Sequence, residues 1–177
     1  MIDPNEFVET AEHILATIET AFAEHGVALP ERRYLSVGGQ GTTVHDGPQV
    51  TVTFEQGYSG RPGNQAQEPV KCDGPRTGVF SVEVVRPIPV ANTVDATPQT
   101  QVPSRYGQVM GGVDTIEADK LTEVARTQMV DAMILLDAGM RAADSGMLGG
   151  TCDIQAGQPQ GGLQAMILMI STSARVL

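Results

Sequence analysis

Apolar positions near the start of the chain recur with the spacing of an α-helix. Together they form one stripe along a helix surface: Phe7, Val8, Ala11, Ile14, Leu15, Ile18, Ala21 and Phe22. Asp3-Pro4-Asn5-Glu6 precedes this stripe and is typical of a helix start, because it offers a cap, a proline at the first position and a capping-box carboxylate. Gly26 follows, where a left-handed residue often ends a helix. The pattern predicts one amphipathic helix.

Four later segments carry the patterns of β-strands. Arg32 to Val37 is the first, and apolar residues alternate with polar ones over 50–55, which predicts a half-buried strand. The same alternation over 80–85 predicts its antiparallel partner. Residues 163–170 are almost continuously apolar, which is typical of a strand covered on both faces. We expect a long loop or a neighbouring subunit to supply the second cover.

A second helix is predicted between the third and fourth of these strands. Asp114 and Glu117 repeat the cap spacing, and the helical pattern ends near Ser145. The residues expected on its buried face are Leu121, Val124, Ala125, Met129, Ala132, Met133, Leu136 and Met140. Its methionines, and Met166 and Met169 of the last strand, are interpreted as fillers of core gaps. An adaptable subunit contact is the alternative.

Long segments rich in Gly and Pro separate these elements, at about 38–48, 59–76 and 87–113. Compact domains usually join elements with about 4–6 residues, so longer segments call for a role such as contact with a neighbour. The chain is predicted to be a single α+β domain over residues 1–177. Two long helices are expected to pack on one face of a small antiparallel or mixed sheet.

The charge balance bears on partners. There are 21 Asp and Glu against 11 Lys and Arg, which gives a formal net charge of -10. A negative surface repels phosphate backbones, so DNA binding is not expected as the main role. No stretch approaches the roughly 18–20 apolar residues of a membrane span. Asp3 and Glu6 stand where a signal peptide would be basic, so we expect a protein made in a cytoplasm.

Candidate chemistry is sparse. Cys72 and Cys152 are interpreted as two free thiols, and a single disulfide between them after lysis is the alternative. They form no short paired spacing with His13, His25 or His45 of the kind that zinc sites use. No metal and no other cofactor is therefore expected, and the favoured interpretation is not an enzyme.

One serine leaves an enzymatic alternative open. Ser59 lies in Gly57-Tyr58-Ser59-Gly60, but the second glycine falls one position too early for a nucleophile elbow. A small hydrolase using Ser59 is the distant alternative. A soluble ligand-binding domain is a further alternative, which would need a lined pocket.

Basic residues gather in and beside the second long segment: Arg61, Lys71, Arg76 and Arg86. In an acidic chain, a local basic arm suits the acidic face of an identical neighbour, which favours a head-to-tail contact. With Tyr58 and Pro62, these are the residues that we expect at a subunit interface.

Several segments between Leu29 and Arg86 share one resemblance. They are Leu29-Pro30-Glu31-Arg32-Arg33-Tyr34, Val50-Thr51-Val52-Thr53-Phe54, Gly57-Tyr58-Ser59-Gly60-Arg61-Pro62-Gly63, Glu68-Pro69 and Cys72-Asp73-Gly74-Pro75-Arg76. They resemble the neck and tail-completion proteins of siphophages that infect actinobacteria, in particular tail terminators and head-to-tail connector components. Residues 92–112 are longer than expected for a minimal terminator and are interpreted as an extra contact arm.

The resemblance implies a virion structural protein without catalytic residues or cofactors. Tail terminators assemble as a homo-oligomeric ring, a hexamer, which caps the finished tail tube and joins it to the capsid. The implied partners are the major tail-tube protein and the connector or stopper on the head side, with DNA passing through the ring without specific binding. The implied location is the head–tail junction. A head–tail adaptor or stopper protein is the nearest alternative, and a tail-tube subunit is disfavoured because those are usually richer in strands.

Overall fold

The computed structural model describes residues 5–38, 47–62, 76–88, 102–103, 109–110, 118–145, 149–157 and 162–173. The two helices in these residues are α1 (Glu6–Glu24) and α2 (Ala118–Asp144). The strands are β1 (Arg32–Val37), β2 (Gln49–Ser59), β3 (Arg76–Pro87), β4 (Val102–Pro103), β5 (Val109–Met110), β6 (Gly150–Ala156) and β7 (Leu163–Ser173). Five of the strands form one mixed sheet, so the predicted α+β class is confirmed. The long segments predicted at 38–48, 59–76 and 87–113 lie largely outside the described residues.

The main sheet has the order β1-β2-β3-β7-β6, while β4 and β5 pair only with each other. β1 runs parallel to β2, and every other neighbouring pair in the sheet is antiparallel. The predicted pairing of 50–55 with 80–85 is confirmed, because Val52 lies opposite Val82. β1 and β6 are the two edges of this sheet.

Val50, Val52 and Phe54 of β2 and the even-numbered residues of β3 and β7 line one face of the sheet, which we call the core face. Its buried apolar side chains are Val50, Val52, Phe80, Val82, Val84, Met166, Leu168 and Ile170. Residues of both helices contact this face. Ile14, Ile18 and Phe22 of α1 belong to the same buried cluster as Ile134 and Leu135 of α2.

Three phenylalanines stack where α1 crosses β2 and β3. The ring centroid of Phe7 lies 4.9 Å from that of Phe54, which in turn lies 5.5 Å from that of Phe80. Two strand glycines leave room for the Phe7 ring. A β-carbon would lie 3.2 Å from this ring at Gly57 and 2.9 Å from it at Gly78. The glycines therefore let an aromatic side chain of the helix approach the sheet backbone closely.

The first helix agrees with its sequence pattern at most positions. Ala11, Ile14, Ile18, Ala21 and Phe22 are buried, whereas Val8 is exposed. The predicted glycine stop is confirmed, since Gly26 follows the helix with a φ of 65°. Asp3 and Pro4 of the predicted start lie outside the described residues. Asn5 occupies the cap position but makes no side-chain capping hydrogen bond.

The predicted buried face of α2 is wrong at Ala125 and at its methionines, while Val124, Ala132 and Leu136 are half-buried and the side chain of Leu121 lies outside the described part. Met129, Met133 and Met140 are exposed. The residues that point into the protein instead are Asp131, Ile134, Leu135, Ala138, Gly139, Ala142 and Ala143. This face is rich in small residues, which let the helix lie close to the sheet. A β-carbon at Gly139 would be 2.9 Å from Cδ2 of Leu168. The predicted start of this helix at Asp114 lies outside the described residues.

The face of the sheet opposite the core face, which we call the second face, is more buried than expected. The alternation over 50–55 predicts a half-buried strand, but Thr51 and Thr53 are fully buried. Threonine counts as a polar residue in a sequence pattern, but its small β-branched side chain also fits a strand that is buried on both faces. On β7, Ala165 is buried on the same face, so this strand is shielded on both faces at that point.

Candidate functional site: subunit interaction surfaces

The residues predicted for a subunit interface begin at the end of β2. Tyr58 is half-buried, and its hydroxyl hydrogen bonds to the carbonyl of Arg61 at 3.5 Å and to the hydroxyl of Ser171 at 3.3 Å. Arg61 is exposed, and Pro62 beside it is half-buried. Lys71 lies outside the described residues. Tyr58 thus fixes the first residues after β2 against β7.

The remaining two predicted interface residues make ion pairs with the helices. Arg76, the first residue of β3, pairs with Glu6 at the start of α1. Arg86 near the other end of β3 pairs with Asp131 of α2 through its Nε and, at 2.9 Å, its Nη2. Nη2 of Arg86 also donates to the carbonyl of Ala28 at 2.9 Å. Both arginines therefore tie helices to the sheet, and their role in a subunit interface stays a prediction.

Methionines of α2 that the sequence pattern placed in the core form an exposed apolar area instead. Met129 and Met133 are 68% and 67% exposed, and Val130 lies beside them. With His25 and Val27 they line an open groove of about 670 Å³, whose rim carries charged side chains. We call Met129, Val130 and Met133 the methionine surface. Methionine is flexible and polarizable, which suits contact with partners of varied shape.

The rim of the groove is held by a charged network. Arg141 contacts the carboxylates of Glu24 at 2.7 Å and Asp137 at 2.6 Å, so it joins the end of α1 to α2. Farther along α1, a 2.8 Å hydrogen bond between Nε2 of His13 and Oγ of Ser145 joins the middle of this helix to the residue that follows α2. These contacts fix one wall of the groove relative to the other.

The edge strand β1 is a second exposed apolar area. Tyr34, Leu35 and Val37 all lie in the open, with Val37 74% exposed. Among the described residues, β1 has a single strand neighbour, β2. The sequence pattern identified this strand correctly but gave no signal that it stands at an edge, because strand order is set by distant pairings.

The opposite edge strand, β6, was missed by the sequence analysis. Cys152 and Ile154 are half-buried and face the core, while Thr151, Asp153 and Gln155 are exposed. The alternation of apolar and polar residues from Thr151 to Gln155 is the signal that could have identified it. It was obscured by its short length and the glycines at its start.

Two carboxylates lie on the second face. Oε1 of Glu55 accepts a 2.5 Å hydrogen bond from the hydroxyl of Ser81. Burial, and then the charge of Glu55, raise the pKa of Glu83 to about 7. Thr53, opposite Ser81, is fully buried, and its hydroxyl has no hydrogen-bond partner among the described residues. This face therefore holds one carboxyl, that of Glu83, whose pKa lies near neutral pH.

The described residues bring together few groups of catalytic type. Ser59 ends β2, whereas His25 lies in the groove at α2 and His13 bonds to Ser145. Cys152 is a free thiol, and burial followed by the charges of Asp144 and Asp153 raises its pKa. His45 and Cys72 lie outside the described residues. Within the described ranges, no group of three His, Cys, Asp or Glu could share a metal ion.

Neither described helix is both long and apolar enough to cross a membrane. A scan against known protein families and a search of curated proteins find no match to the chain.

Proposed function

We propose that the chain is a ring-forming tail terminator of a siphophage, which caps the tail tube and joins it to the capsid connector. The single observation that carries this proposal is the pair of exposed apolar areas, the methionine surface on α2 and the edge strand β1. Soluble monomers rarely leave such areas clustered, and larger ones mark interaction sites. Two unlike areas favour two kinds of contact, one with a neighbouring copy through β1 and one with a different protein through the methionine surface.

Copies that meet through two unlike surfaces assemble head to tail, and such contacts close into rings when the rotation permits. The resemblance of the segments between Leu29 and Arg86 to tail terminators supplies the kind of ring, a hexamer at the end of the tail tube. The net charge of -10 fits a conduit that DNA passes without binding. The proposed location is the head–tail junction of the virion.

The proposed mechanism is capping. A ring binds the growing end of the tube with one face. Its other face does not resemble the end of the tube, so no further tube subunits add to it. Each subunit contributes one modest contact, and the contacts act together because the ring links them. In this account the methionine surface contacts the tube protein or the connector, since its flexible side chains adapt to a partner of a different sequence.

The proposal is tested by adding the purified chain to polymerising tail-tube protein and measuring tube lengths. The wild-type chain should stop elongation and shorten the tubes. Met133→Lys places a charge on the methionine surface and should weaken the capping, whereas Thr20→Lys, on the exposed side of α1, should cap as the wild type does. Tubes that elongate equally with and without the wild-type chain would contradict the proposal.

A further inference from the structure

We infer that β1 of one copy pairs antiparallel with β6 of the next copy, so that a single sheet continues from subunit to subunit. This inference rests on the proposed assembly of the chain with copies of itself and names the surfaces that join them. Four features of the two sheet edges carry it: their direction, their outward backbone groups, the match of their faces and their charge.

The strand directions permit the pairing. β1 is parallel to β2, and three successive antiparallel steps lead from β2 through β3 and β7 to β6. β6 therefore runs opposite to β1. When a second copy is placed beside the first with its sheet in the same orientation, β6 of one copy meets β1 of the other as an antiparallel pair.

The backbone of β1 presents its amides outward at alternate residues. The amide of Gly38 donates to the carbonyl of Phe54 on β2 at 2.7 Å, so even-numbered amides of this edge point toward β2. Because amides alternate along a strand, those of Arg33, Leu35 and Val37 point away from β2. Such an outward row is a template for another strand.

The backbone of β6 shows the same alternation. The amide of Gly157 donates to the carbonyl of Ala165 on β7 at 2.8 Å, which directs the odd-numbered amides toward β7. The amides of Cys152 and Ile154 consequently point outward. The amide of Ile154 donates to the carboxylate of the preceding Asp153 at 2.9 Å and not to β7, and strand pairing would exchange this local bond for a backbone one.

The two edges also match face to face. Leu35 lies opposite Val52 and Val37 opposite Phe54, so both belong to the core face. Cys152 and Ile154 of β6 lie on that same face and pack against the core. In the proposed pair, Leu35 and Val37 would extend the apolar layer of the next copy and lose their exposure to water.

Charge distinguishes this arrangement from pairing of like edges. β1 carries Arg32 and Arg33 and no acidic residue, whereas β6 carries Asp153 and no basic residue. Arg32 and Asp153 both lie on the second face, so the β1–β6 pair brings opposite charges together. A β1–β1 pair or a β6–β6 pair would bring like charges together, which disfavours a closed dimer.

Disulfide trapping tests the pairing. In a Cys72→Ser background, Leu35→Cys and Val37→Cys each place a thiol on β1 that can meet Cys152 of the next copy. Oxidation should give a ladder of covalent oligomers on a non-reducing gel with at least one of the two variants. The ladder should disappear when Cys152→Ser is added. With Cys152→Ser each chain keeps one thiol and can form at most a covalent dimer, so a dimer in that control would indicate a β1–β1 contact. That result, or no covalent oligomer larger than a dimer with either variant, would overturn the inference.

An edge-blocking variant gives an independent measurement. Leu35→Pro removes an outward amide without removing a hydrogen bond to β2, and should raise the dissociation constant of the oligomer at least about tenfold in sedimentation equilibrium. Leu35→Thr retains the amide and should have a smaller effect, and circular dichroism checks that both variants fold. An oligomer that Leu35→Pro leaves intact would overturn the β1–β6 pairing. Since tube capping is measured separately, that result would leave the proposed function standing.

Discussion

Arg86 on β3 donates hydrogen bonds to both carboxylate oxygens of Asp131 on α2. The side chain of Asp131 is 1% exposed, so its charge is shielded from water and compensated by this guanidinium. The same guanidinium reaches the carbonyl of Ala28 in the segment after α1. One side chain thus joins the sheet to the second helix and to the connection that follows the first.

Removing this arginine should destabilise the fold strongly. Arg86→Met leaves the carboxylate of Asp131 buried without its partner, and we expect the free energy of unfolding to fall by about 3–5 kcal/mol. Chemical denaturation measures the change. Adding Asp131→Leu should restore much of the loss, because no buried charge then remains. Arg141→Met breaks only exposed ion pairs and should cost far less. Equal losses for Arg86→Met and Arg141→Met would contradict this account.

Substitutions at the exposed methionines of α2 should lower stability much less than a substitution at its buried Leu135. Met129→Gln and Met133→Gln alter side chains that lie in water, and each should change the free energy of unfolding by no more than about 0.5 kcal/mol. Leu135→Ala removes a fully buried side chain and should cost about 2–5 kcal/mol. Denaturant titrations of the three variants provide the comparison. Losses at the methionines as large as that at Leu135 would place them in the core.

The difference between the predicted and the observed buried side of α2 shows how much of the fold the sequence alone could predict. α1, β2 and β3 were identified because their apolar residues repeat with one clear period, and β7 because its residues are almost continuously apolar. On α2, two stripes compete. The methionine stripe is the more apolar in sequence, whereas the buried stripe contains Asp131 and small residues such as Gly139 and Ala142. Only the partner Arg86, 45 positions away, makes burial of that aspartate favourable.

The two edge strands of the sheet, which belong to the candidate site, could likewise be predicted only in part from the sequence. Arg32 to Val37 was predicted as a strand, but its parallel pairing with β2 and its position at an edge depend on contacts between distant parts of the chain. β6 was missed, because a seven-residue strand with glycine at its start has a weak local signal. The predicted interface residues came from charge alone, which does not reveal that Arg76 and Arg86 have partners within the chain.

Stability should depend on pH through Glu83. The pKa of this carboxyl is raised from 4.5 to about 7 in the folded protein. Between these pH values the folded chain holds a proton that the unfolded chain has lost. The contribution of Glu83 to the free energy of unfolding is therefore largest below pH 4.5 and decreases as the pH rises toward about 7. Glu83→Gln does not titrate and should remove a fall on the order of 1–2 kcal/mol, after allowance for screening by solvent.

Denaturation of the wild type and Glu83→Gln across this pH range measures the effect. Glu55→Gln is the matched variant, because the charge of Glu55 contributes to the raised pKa of Glu83. Its removal should move the fall in stability to lower pH without abolishing it. Curves for Glu83→Gln and the wild type that run parallel from acid to neutral pH would contradict the assignment.

Close packing beneath Phe7 should make Gly78 intolerant of a side chain. A β-carbon there would lie 2.6 Å from Cε2 of Phe80 and 2.9 Å from Cε1 of Phe7. Gly78→Ala should therefore cost about 1–3 kcal/mol by overpacking, and thermal denaturation measures it. Gly57→Ala, whose nearest contact would be 3.2 Å, should cost less. An unchanged melting temperature in Gly78→Ala would show that the aromatic rings move aside freely.

The central claim is that this chain ends the growth of a tail tube and joins the tail to the head. Electron microscopy of particles from a phage that lacks the gene tests it most directly. The account predicts overlong or unattached tails beside filled, tailless heads, and restoration of normal particles when the wild-type gene is supplied. Filled or leaking heads beside tails of normal length would assign the protein to the connector side of the neck. Normal infectious virions would contradict a structural role altogether.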